Sequence, residues 1–312
     1  MAEQPHFGER LVRAVTARGS CVVLGFDPDP IFFPPSILSR HADESLLERA
    51  ASATEEVGAA LVGACAPFVV AVKFQLAYFL ALGPAGLATL QRLIRLAGGM
   101  GLLTIVDGKP GDIDATAAAY ARALIGRFQW PGDGSTEVLG ADACTVNPYL
   151  GTDSVRPFLE WVDTSGKGVF VLAHTSNPSA GELQHLPLAG GKTVAGAVAG
   201  LIGRWAAGRF GPSGFASVGA VVGATYPEVI GEMRRELPGI WLLLPGVGAQ
   251  GGQVEALGPA FDRRGLGGLV AASRSILGAW RTHPGGERRW EEAGAEAARR
   301  LRDQVNDVRG GA

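Results

Sequence analysis

The chain has 312 residues, of which 47% are hydrophobic and 19% are charged, and its formal net charge at pH 7 is −2. This apolar content is enough to build a large buried core, which excludes a disordered chain. The near-neutral charge, without any block of like charges, disfavours binding to nucleic acid or to an anionic membrane surface through a broad basic face.

The beginning of the chain and its cysteines favour a cytoplasmic protein. The first residues, MAEQPHFGERLVRAV, lack the basic and then apolar pattern of a signal peptide. The longest apolar stretches, such as Leu61–Val72, are shorter than the roughly 18 residues that a membrane-spanning helix needs. Cys21, Cys65 and Cys144 stand apart, and we interpret them as buried thiols in a reducing compartment. The scattered histidines give no zinc-binding pattern.

Short runs of mostly β-branched and apolar residues alternate with amphipathic or alanine-rich stretches along the whole chain. Nearly all of these runs are continuously apolar, as expected of strands buried on both faces. The predicted strands are Cys21–Phe26, Val69–Lys73, Leu102–Asp107, Ala143–Asn147, Val169–Ala173, Ser217–Gly223, Ile240–Leu244 and Gly268–Ala272. The predicted helices include Phe7–Arg18, Glu44–Cys65, Ile113–Arg127, Thr193–Arg209, Pro227–Leu237 and Glu287–Asp307.

This alternation predicts an α/β fold, a closed parallel (β/α)8 TIM barrel, with a doubly wound sheet as the competing architecture. We expect residues 1–20 to add an N-terminal helix that closes the bottom of the barrel, and residues 309–312 to form a frayed tail. No repeat or linker divides the sequence, so residues 1–312 are predicted to form one domain. Two loops are long, Pro28–Ala42 and His174–Gly191, and the composition of the second favours a mobile lid.

The segment Asp107-Gly108-Lys109-Pro110-Gly111-Asp112 follows the third predicted strand, at the end of a barrel where functional groups gather. Two carboxylates flank one ammonium there, and Lys73 should lie on the neighbouring strand. Charges this close at a partly desolvated rim must alternate in sign, which keeps a lysine protonated and a carboxylate ionised. The structural alternatives are a salt bridge for Asp107 and, for Asp112, a helix N-cap before Ile113.

The segment Pro245–Gly252 contains a G-x-G-x-x-G pattern. A dinucleotide site is disfavoured, because the pattern follows the seventh strand and Asp262 lies only eleven residues after Gly251. We interpret the segment as a phosphate site, since the loops after strands seven and eight of such barrels commonly bind phosphate through backbone N–H groups. Arg274 would add a bidentate charged contact. Glycines that serve only tight turns are the alternative.

The segment His174–Gly181 opens the long loop after the fifth predicted strand. As a lid it would bring Ser176 to a polar heterocycle, whereas the alternative is a plain polar loop. We expect His174 to be structural rather than catalytic.

Taken together, these segments resemble orotidine 5'-phosphate decarboxylase in its longer bacterial (type 2) form. The resemblance extends over all eight predicted strands. The segments that carry it are Gly25–Pro28, Val72–Phe74, Asp107–Ile113, Thr175–Pro178, Pro245–Gly252 and Ser273–Ile276.

The resemblance implies a carboxy-lyase that converts orotidine 5'-phosphate (OMP) to UMP and CO2, the last step of UMP biosynthesis, without a cofactor or a metal. Asp27 and Lys73 would bind the ribose hydroxyls. Asp107 would face the substrate carboxylate, and Lys109 would protonate the carbon that loses CO2. Ser176 would contact the pyrimidine.

The resemblance also implies a phosphate site and a dimer. The phosphate would be held by Gln250, Gly251, Gly252 and Arg274. In a homodimer, Asp112 would reach the active site of the partner subunit, with Thr116 near it.

Three other functions remain open from the residues alone. Mg²⁺-dependent sugar-phosphate lyases share the D-x-K-x-x-D pattern, but they place an acid where this chain has Lys73, whose positive charge disfavours a metal. A Schiff-base aldolase would use Lys73 or Lys109 as its nucleophile. A non-catalytic protein that binds phosphate ligands would keep the barrel without turnover.

Overall fold

The computed structural model describes residues 6–41, 43–248 and 251–310. The strands in these ranges are β1 Val22–Phe26, β2 Ala71–Gln75, β3 Leu103–Asp107, β4 Arg127–Trp130, β5 Gly134–Glu137, β6 Ala143–Val146, β7 Gly168–His174, β8 Val218–Val222, β9 Leu242–Pro245 and β10 Gly268–Ala272. The α-helices are α1 Phe7–Arg18, α2 Pro35–Leu38, α3 Leu46–Cys65, α4 Leu76–Leu80, α5 Gly83–Gly99, α6 Asp114–Leu124, α7 Thr152–Ser165, α8 Val194–Ala206, α9 Pro227–Glu236, α10 Arg274–Leu277 and α11 Trp290–Val308.

Eight of these strands form a closed barrel in the order β1-β10-β9-β8-β7-β6-β3-β2, and all of its neighbours are parallel. Closure is direct, because Val23 of β1 pairs with Ala71 on one side and with Ala271 on the other. The predicted TIM barrel is therefore confirmed, and the doubly wound sheet is excluded. The apolar runs became strands because both of their faces are covered, one by the barrel interior and one by the helices.

Three phenylalanines pack against one another on the helix side of β1 and β2. Phe26, Phe74 and Phe79 have ring centroids 6.2 Å apart in each pair, and all three side chains are fully buried. Successive residues of a strand point to opposite faces, so Lys73 points away from this cluster and into the barrel. The aromatic packing therefore fixes the direction in which the lysine projects.

Helix α1 lies across the amino ends of the barrel strands, as predicted. Phe7 packs edge-on against Phe170 of β7, and a Cβ on Gly168 would lie 2.2 Å from the Phe7 ring. The N–H of Gly8 donates to Ser217 Oγ at 3.3 Å, just before β8. Only a glycine at the start of β7 lets the aromatic ring close the bottom of the barrel.

Two predicted boundaries were wrong in ways that matter for the site. The second strand runs from Ala71 to Gln75, so Lys73 lies in its middle and does not end it. The predicted helix Ile113–Arg127 ends at Leu124, and Arg127 begins an antiparallel hairpin of β4 and β5 outside the barrel. The Pro-Gly-Asp-Gly sequence after Trp130 is a turn signal that accounts for the hairpin.

The long loops are partly ordered by short helices. Residues 28–42 contain α2 and a 3₁₀ turn at Pro30–Phe32, and residues 174–191 contain a 3₁₀ turn at Pro178–Glu182. At the expected frayed tail, Arg309 donates hydrogen bonds to Gly265 O at 3.4 Å and to Cys21 Sγ at 3.2 Å. All three cysteines are buried free thiols, as predicted.

No helix of the described ranges is both long and apolar enough to cross a membrane.

Candidate active site

A row of alternating charges lies at the carboxyl ends of β1, β2 and β3. Lys73 Nζ lies 2.8 Å from Asp107 Oδ2 and 3.8 Å from Asp27 Oδ1. Lys109 Nζ donates a hydrogen bond to the other carboxylate oxygen of Asp107, Oδ1. The structure therefore brings together Asp27, Lys73, Asp107 and Lys109, which lie on or directly after three separate strands. We call these four side chains the charged array.

Burial and charge act in opposite directions on the array, and charge dominates. Burial alone would raise the pKa of Asp107, but the charges and hydrogen bonds of Lys73 and Lys109 hold that pKa well below its usual range. Burial alone would lower the pKa of Lys73, but the carboxylates of Asp107 and Asp27 outweigh it and raise that pKa. Both groups are therefore charged at neutral pH, although each residue is only 6% exposed.

Two further side chains, Gln75 and Thr145, bind the central carboxylate, and neither was predicted from the sequence. Thr145 Oγ1 donates to Asp107 Oδ1 at 2.8 Å, and Gln75 Nε2 donates to Asp107 Oδ2 at 3.4 Å. The predicted polar end of the fourth strand, Asn147, lies two residues beyond Thr145. Since alternate residues of a strand share a face, this spacing was the signal that could have indicated Thr145.

Asp27 and Arg274 meet around a small cavity between β1, β9 and β10. The cavity has a volume of about 60 Å³, and Asp27, Lys73, Gly246 and Arg274 are among its lining residues. The backbone N–H of Asp27 donates to Ser273 Oγ at 3.3 Å, which joins the ends of β1 and β10. The cavity thus connects the charged array to an exposed guanidinium at the start of α10.

The glycine-rich segment after β9 forms a tight turn. Gly252 N–H donates to Gly246 O at 3.1 Å, and Gly251 N–H donates to Gly248 O at 3.0 Å. These two N–H groups were expected to bind phosphate. In this conformation they instead donate to carbonyl groups of the same segment. Gln250 lies outside the described residues.

The loop between β3 and α6 places Asp112 at the edge of the rim. Asp112 is half-buried, and its Oδ1 accepts a hydrogen bond from the N–H of Ile113 at 2.8 Å. Helix α6 begins at Asp114 with no side-chain cap, so the alternative of Asp112 as an N-cap is wrong. Thr116, in the first turn of α6, is exposed, and so is Ile113, at 48%.

The segment that carries Ser176 crosses closely over the end of β8. A Cβ on Gly223 would lie 2.7 Å from the Ser176 backbone, so this crossing requires a glycine. Thr225 Oγ1 donates to Ser176 O at 3.4 Å. Gln184, further along the loop, accepts from Thr175 N–H at 2.8 Å and donates to Thr175 Oγ1 at 2.7 Å. The first half of the predicted lid is thus tied to the barrel.

His174, at the end of β7, is buried and takes part in an aromatic cluster. Its Nε2 lies 2.8 Å from Nε2 of His185, and the two rings are nearly parallel, at 16°, with centroids 5.0 Å apart. Tyr226 packs edge-on against both rings. His174 therefore anchors the same loop from below.

The described residues contain no group of three or more His, Cys, Asp or Glu side chains arranged to hold a metal ion. The acidic residues of the rim are instead separated by lysines.

Comparisons with known proteins give one family. The sequence model of the "Orotidine 5'-phosphate decarboxylase / HUMPS family" matches residues 48–283. An orotidine 5'-phosphate decarboxylase of Rhodopirellula baltica is 38% identical over 96% of this chain and 98% of its own length. One of Bordetella avium is 37% identical over 97% of this chain and 100% of its own length.

The solved structures agree with the sequence comparison. The structure of Leishmania donovani OMP decarboxylase superimposes with a TM-score of 0.73 at 29% identity, covering 97% of this chain and 99% of that one. The family match covers most of the chain, and the curated relatives match it almost from end to end. The chain belongs to the orotidine 5'-phosphate decarboxylase / HUMPS family.

Proposed function

We propose that this protein converts OMP to UMP and CO2 at the charged array, as a carboxy-lyase of pyrimidine biosynthesis. The observation that carries the proposal is the environment of Asp107, a buried carboxylate held ionised between two lysines. One of them, Lys73, is buried, whereas the side chain of Lys109 is 36% exposed and can meet a substrate. This arrangement suits a reaction in which negative charge develops on carbon beside an ammonium group.

In the proposed reaction a C–C bond is replaced by a C–H bond. When CO2 leaves, the electron pair of the broken bond stays on C6 of the pyrimidine. Lys109 donates a proton to that carbon and is left neutral until it regains a proton from solvent. The ammonium stabilises the developing charge most strongly where water is excluded, because the local dielectric constant is low. No cofactor takes part in this scheme.

Asp107 is proposed to face the carboxylate of the substrate. Because its pKa lies well below the usual range, Asp107 stays ionised when a second carboxylate approaches. The two like charges repel each other until the substrate carboxylate departs as neutral CO2. Part of the binding energy of the substrate groups that do not react is thereby used to bring the substrate carboxylate next to the like charge of Asp107.

The residues proposed to bind the ribose, the phosphate and the pyrimidine belong to the charged array or to segments at the same rim of the barrel. Lys73 and Asp27 are proposed to bind the ribose hydroxyls, since they lie side by side next to the cavity. Arg274 is proposed to bind the phosphate together with Gln250. We propose that Gly251 and Gly252 contribute N–H groups after the turn rearranges around the phosphate, and that Ser176 contacts the pyrimidine.

A homodimer is part of the proposal. The exposed face that begins at Ile113 continues along α6 with Thr116 and Tyr120, and Tyr120 is 43% exposed. Burying this face against a second copy would bring Asp112 to the rim of the partner's barrel. We also propose that residues 1–312 work as one domain in the cytoplasm, where the three buried thiols stay reduced.

The test is the loss of the orotate chromophore when the purified protein is mixed with OMP in the presence of EDTA. We expect turnover that the chelator leaves unchanged, and a loss of at least about a thousandfold in Lys109→Ala, since proton donor and charge are removed together. Lys192→Ala is the matched control, because Lys192 forms a surface ion pair with Glu236. No turnover, or turnover that EDTA abolishes, would contradict the proposal and favour a Mg²⁺-dependent lyase.

A further inference from the structure

The hydroxyl of Thr145 lies beneath the charged array and bonds to two of its parts. Thr145 is 1% exposed, on β6. Its Oγ1 lies 2.8 Å from Asp107 Oδ1 and 3.2 Å from the backbone nitrogen of Lys109. An ionised carboxylate can only accept, so the hydroxyl proton must go to Asp107, and the lone pair then receives the Lys109 N–H.

The backbone of Lys109 needs such a support. Its φ is +48°, in the left-handed region that costs a residue with a side chain about 1–2 kcal/mol. Strained residues of this kind persist only when their surroundings fix them. The Thr145 hydroxyl accepts a hydrogen bond from the N–H of Lys109. A second hydrogen bond holds the same loop, because Asn147 N–H donates to Pro110 O at 3.1 Å.

The same hydroxyl also fixes the rotation of the Asp107 carboxylate. Oδ1 accepts hydrogen bonds from Thr145 and Lys109, whereas Oδ2 accepts hydrogen bonds from Lys73 and Gln75. A single atom of β6 therefore sets both the backbone from which Lys109 projects and the oxygen to which its ammonium is bound. We infer that Thr145 is a positioning residue that holds Lys109 in the geometry for proton transfer, an inference that rests on the proposed function.

Loss of the hydroxyl should affect turnover more than substrate binding. The proposed phosphate and pyrimidine contacts lie in the segments that follow β7, β9 and β10, whereas Thr145 lies within β6 and bonds to Asp107 and Lys109. A misplacement of a reacting group by about 1 Å costs on the order of a hundredfold in rate. Thr145→Val, which keeps the shape and removes the hydroxyl, should lower kcat about 10- to 100-fold and change KM less than about threefold. Thr145→Ser should stay within about threefold of the wild type in both.

The chain provides a matched control in Thr104. This buried threonine of β3 bonds Asp142 in the same way, donating to Oδ2 at 2.9 Å and accepting from the N–H at 3.1 Å, but at the amino end of the barrel. Thr104→Val should lower stability without lowering kcat. An equal loss of kcat in Thr104→Val, a wild-type kcat in Thr145→Val, or an equal loss in Thr145→Ser would overturn the inference.

Amide hydrogen exchange tests the inference without relying on activity. The Lys109 N–H should exchange at least about tenfold faster in Thr145→Val than in the wild type, and at the wild-type rate in Thr145→Ser and Thr104→Val. An unchanged rate in Thr145→Val would overturn the inference whether or not OMP is a substrate. A wild-type protein that leaves OMP intact while the exchange rates separate would contradict the proposed function alone.

Discussion

The rim holds two sets of titratable side chains with buried members, Asp107 and Lys73 in one and His174 in the other, and these members meet the cost of burial in opposite ways. The charged array keeps its ions by pairing them, so that Asp107 and Lys73 are both charged despite being buried. His174, beside His185, instead loses its charge. Burial and the neighbouring His185 lower the pKa of His174 to about 4, although Glu228 acts against them. Charge is thus retained where the proposed chemistry uses it.

The geometry of the histidine pair gives the reason that the two rings do not both carry a proton at the shared contact. A hydrogen bond between two imidazole nitrogens 2.8 Å apart uses one proton, so one ring donates and the other accepts. If both rings were protonated, two N–H groups would face each other at that distance. Tyr226 packs against both rings without supplying a carboxylate. The charged array therefore depends on opposite charges held next to each other, whereas the bond between the histidines depends on one of the two facing nitrogens lacking a proton.

Among variants of the two regions, Asp107→Asn should have the largest effect on stability, because it leaves Lys73 buried without its closest carboxylate. We expect the free energy of unfolding at pH 7 to fall by about 3–5 kcal/mol, the cost typical of breaking a buried ion pair. Urea denaturation measures it. The matched control is Asp163→Asn, which breaks a surface pair with Arg209 and should cost less than about 1 kcal/mol. Equal losses in the two variants would contradict the prediction.

The Asp107 prediction has a pH dependence of known sign. The folded-state pKa of Asp107 lies below the unfolded value, so its contribution to stability is fully present above about pH 4. As the pH falls below that value, the unfolded chain takes up the proton first and the contribution is lost. The stability difference between wild type and Asp107→Asn should therefore shrink in acid.

These regions also differ in how far the sequence determines them. Asp107 and Lys109 lie two residues apart, and the neighbouring strands β2 and β1 add Lys73 and Asp27, so the charged array could be predicted from strand order. The partner of His174 could not, because His185 lies eleven residues further along an irregular loop. Composition there indicated a mobile lid, whereas side-chain contacts tie its first half down.

The missed elements have physical causes of the same kind. Thr145 lies within an apolar strand, and the pairing of β6 with β3 brings its hydroxyl to the loop that follows β3. The hairpin of β4 and β5 was missed because the alanine-rich pattern of α6 was extended through Arg127. Alternation in Phe128 and Trp130, which pack on each other with centroids 6.2 Å apart, indicates a strand instead.

The second prediction concerns the stability of the protein in mild acid. The folded-state pKa of His174 is about 4, below the usual 6.5, so between these values the unfolded chain binds a proton that the folded protein does not. Stability should fall with decreasing pH there, with up to about 1.4 kcal/mol per pH unit from this residue. His174→Phe should remove that part of the slope. Parallel urea-denaturation curves of stability against pH for wild type and variant would contradict the assignment.

The smallest effect should come from His185, the half of the pair that lies on the loop. His185→Leu removes the bond to His174 and should loosen the segment that carries Ser176 by about 1 kcal/mol, a typical net value for one hydrogen bond. That corresponds to a rise of about fivefold in KM for OMP. His185→Gln keeps a polar atom able to bond His174, so its KM should stay within about twofold of the wild type. Because the charged array is untouched in both variants, kcat should hardly change. A fall in kcat as large as that of Thr145→Val would mean that the histidine pair supports the array as well as the loop, and that the two regions are not independent.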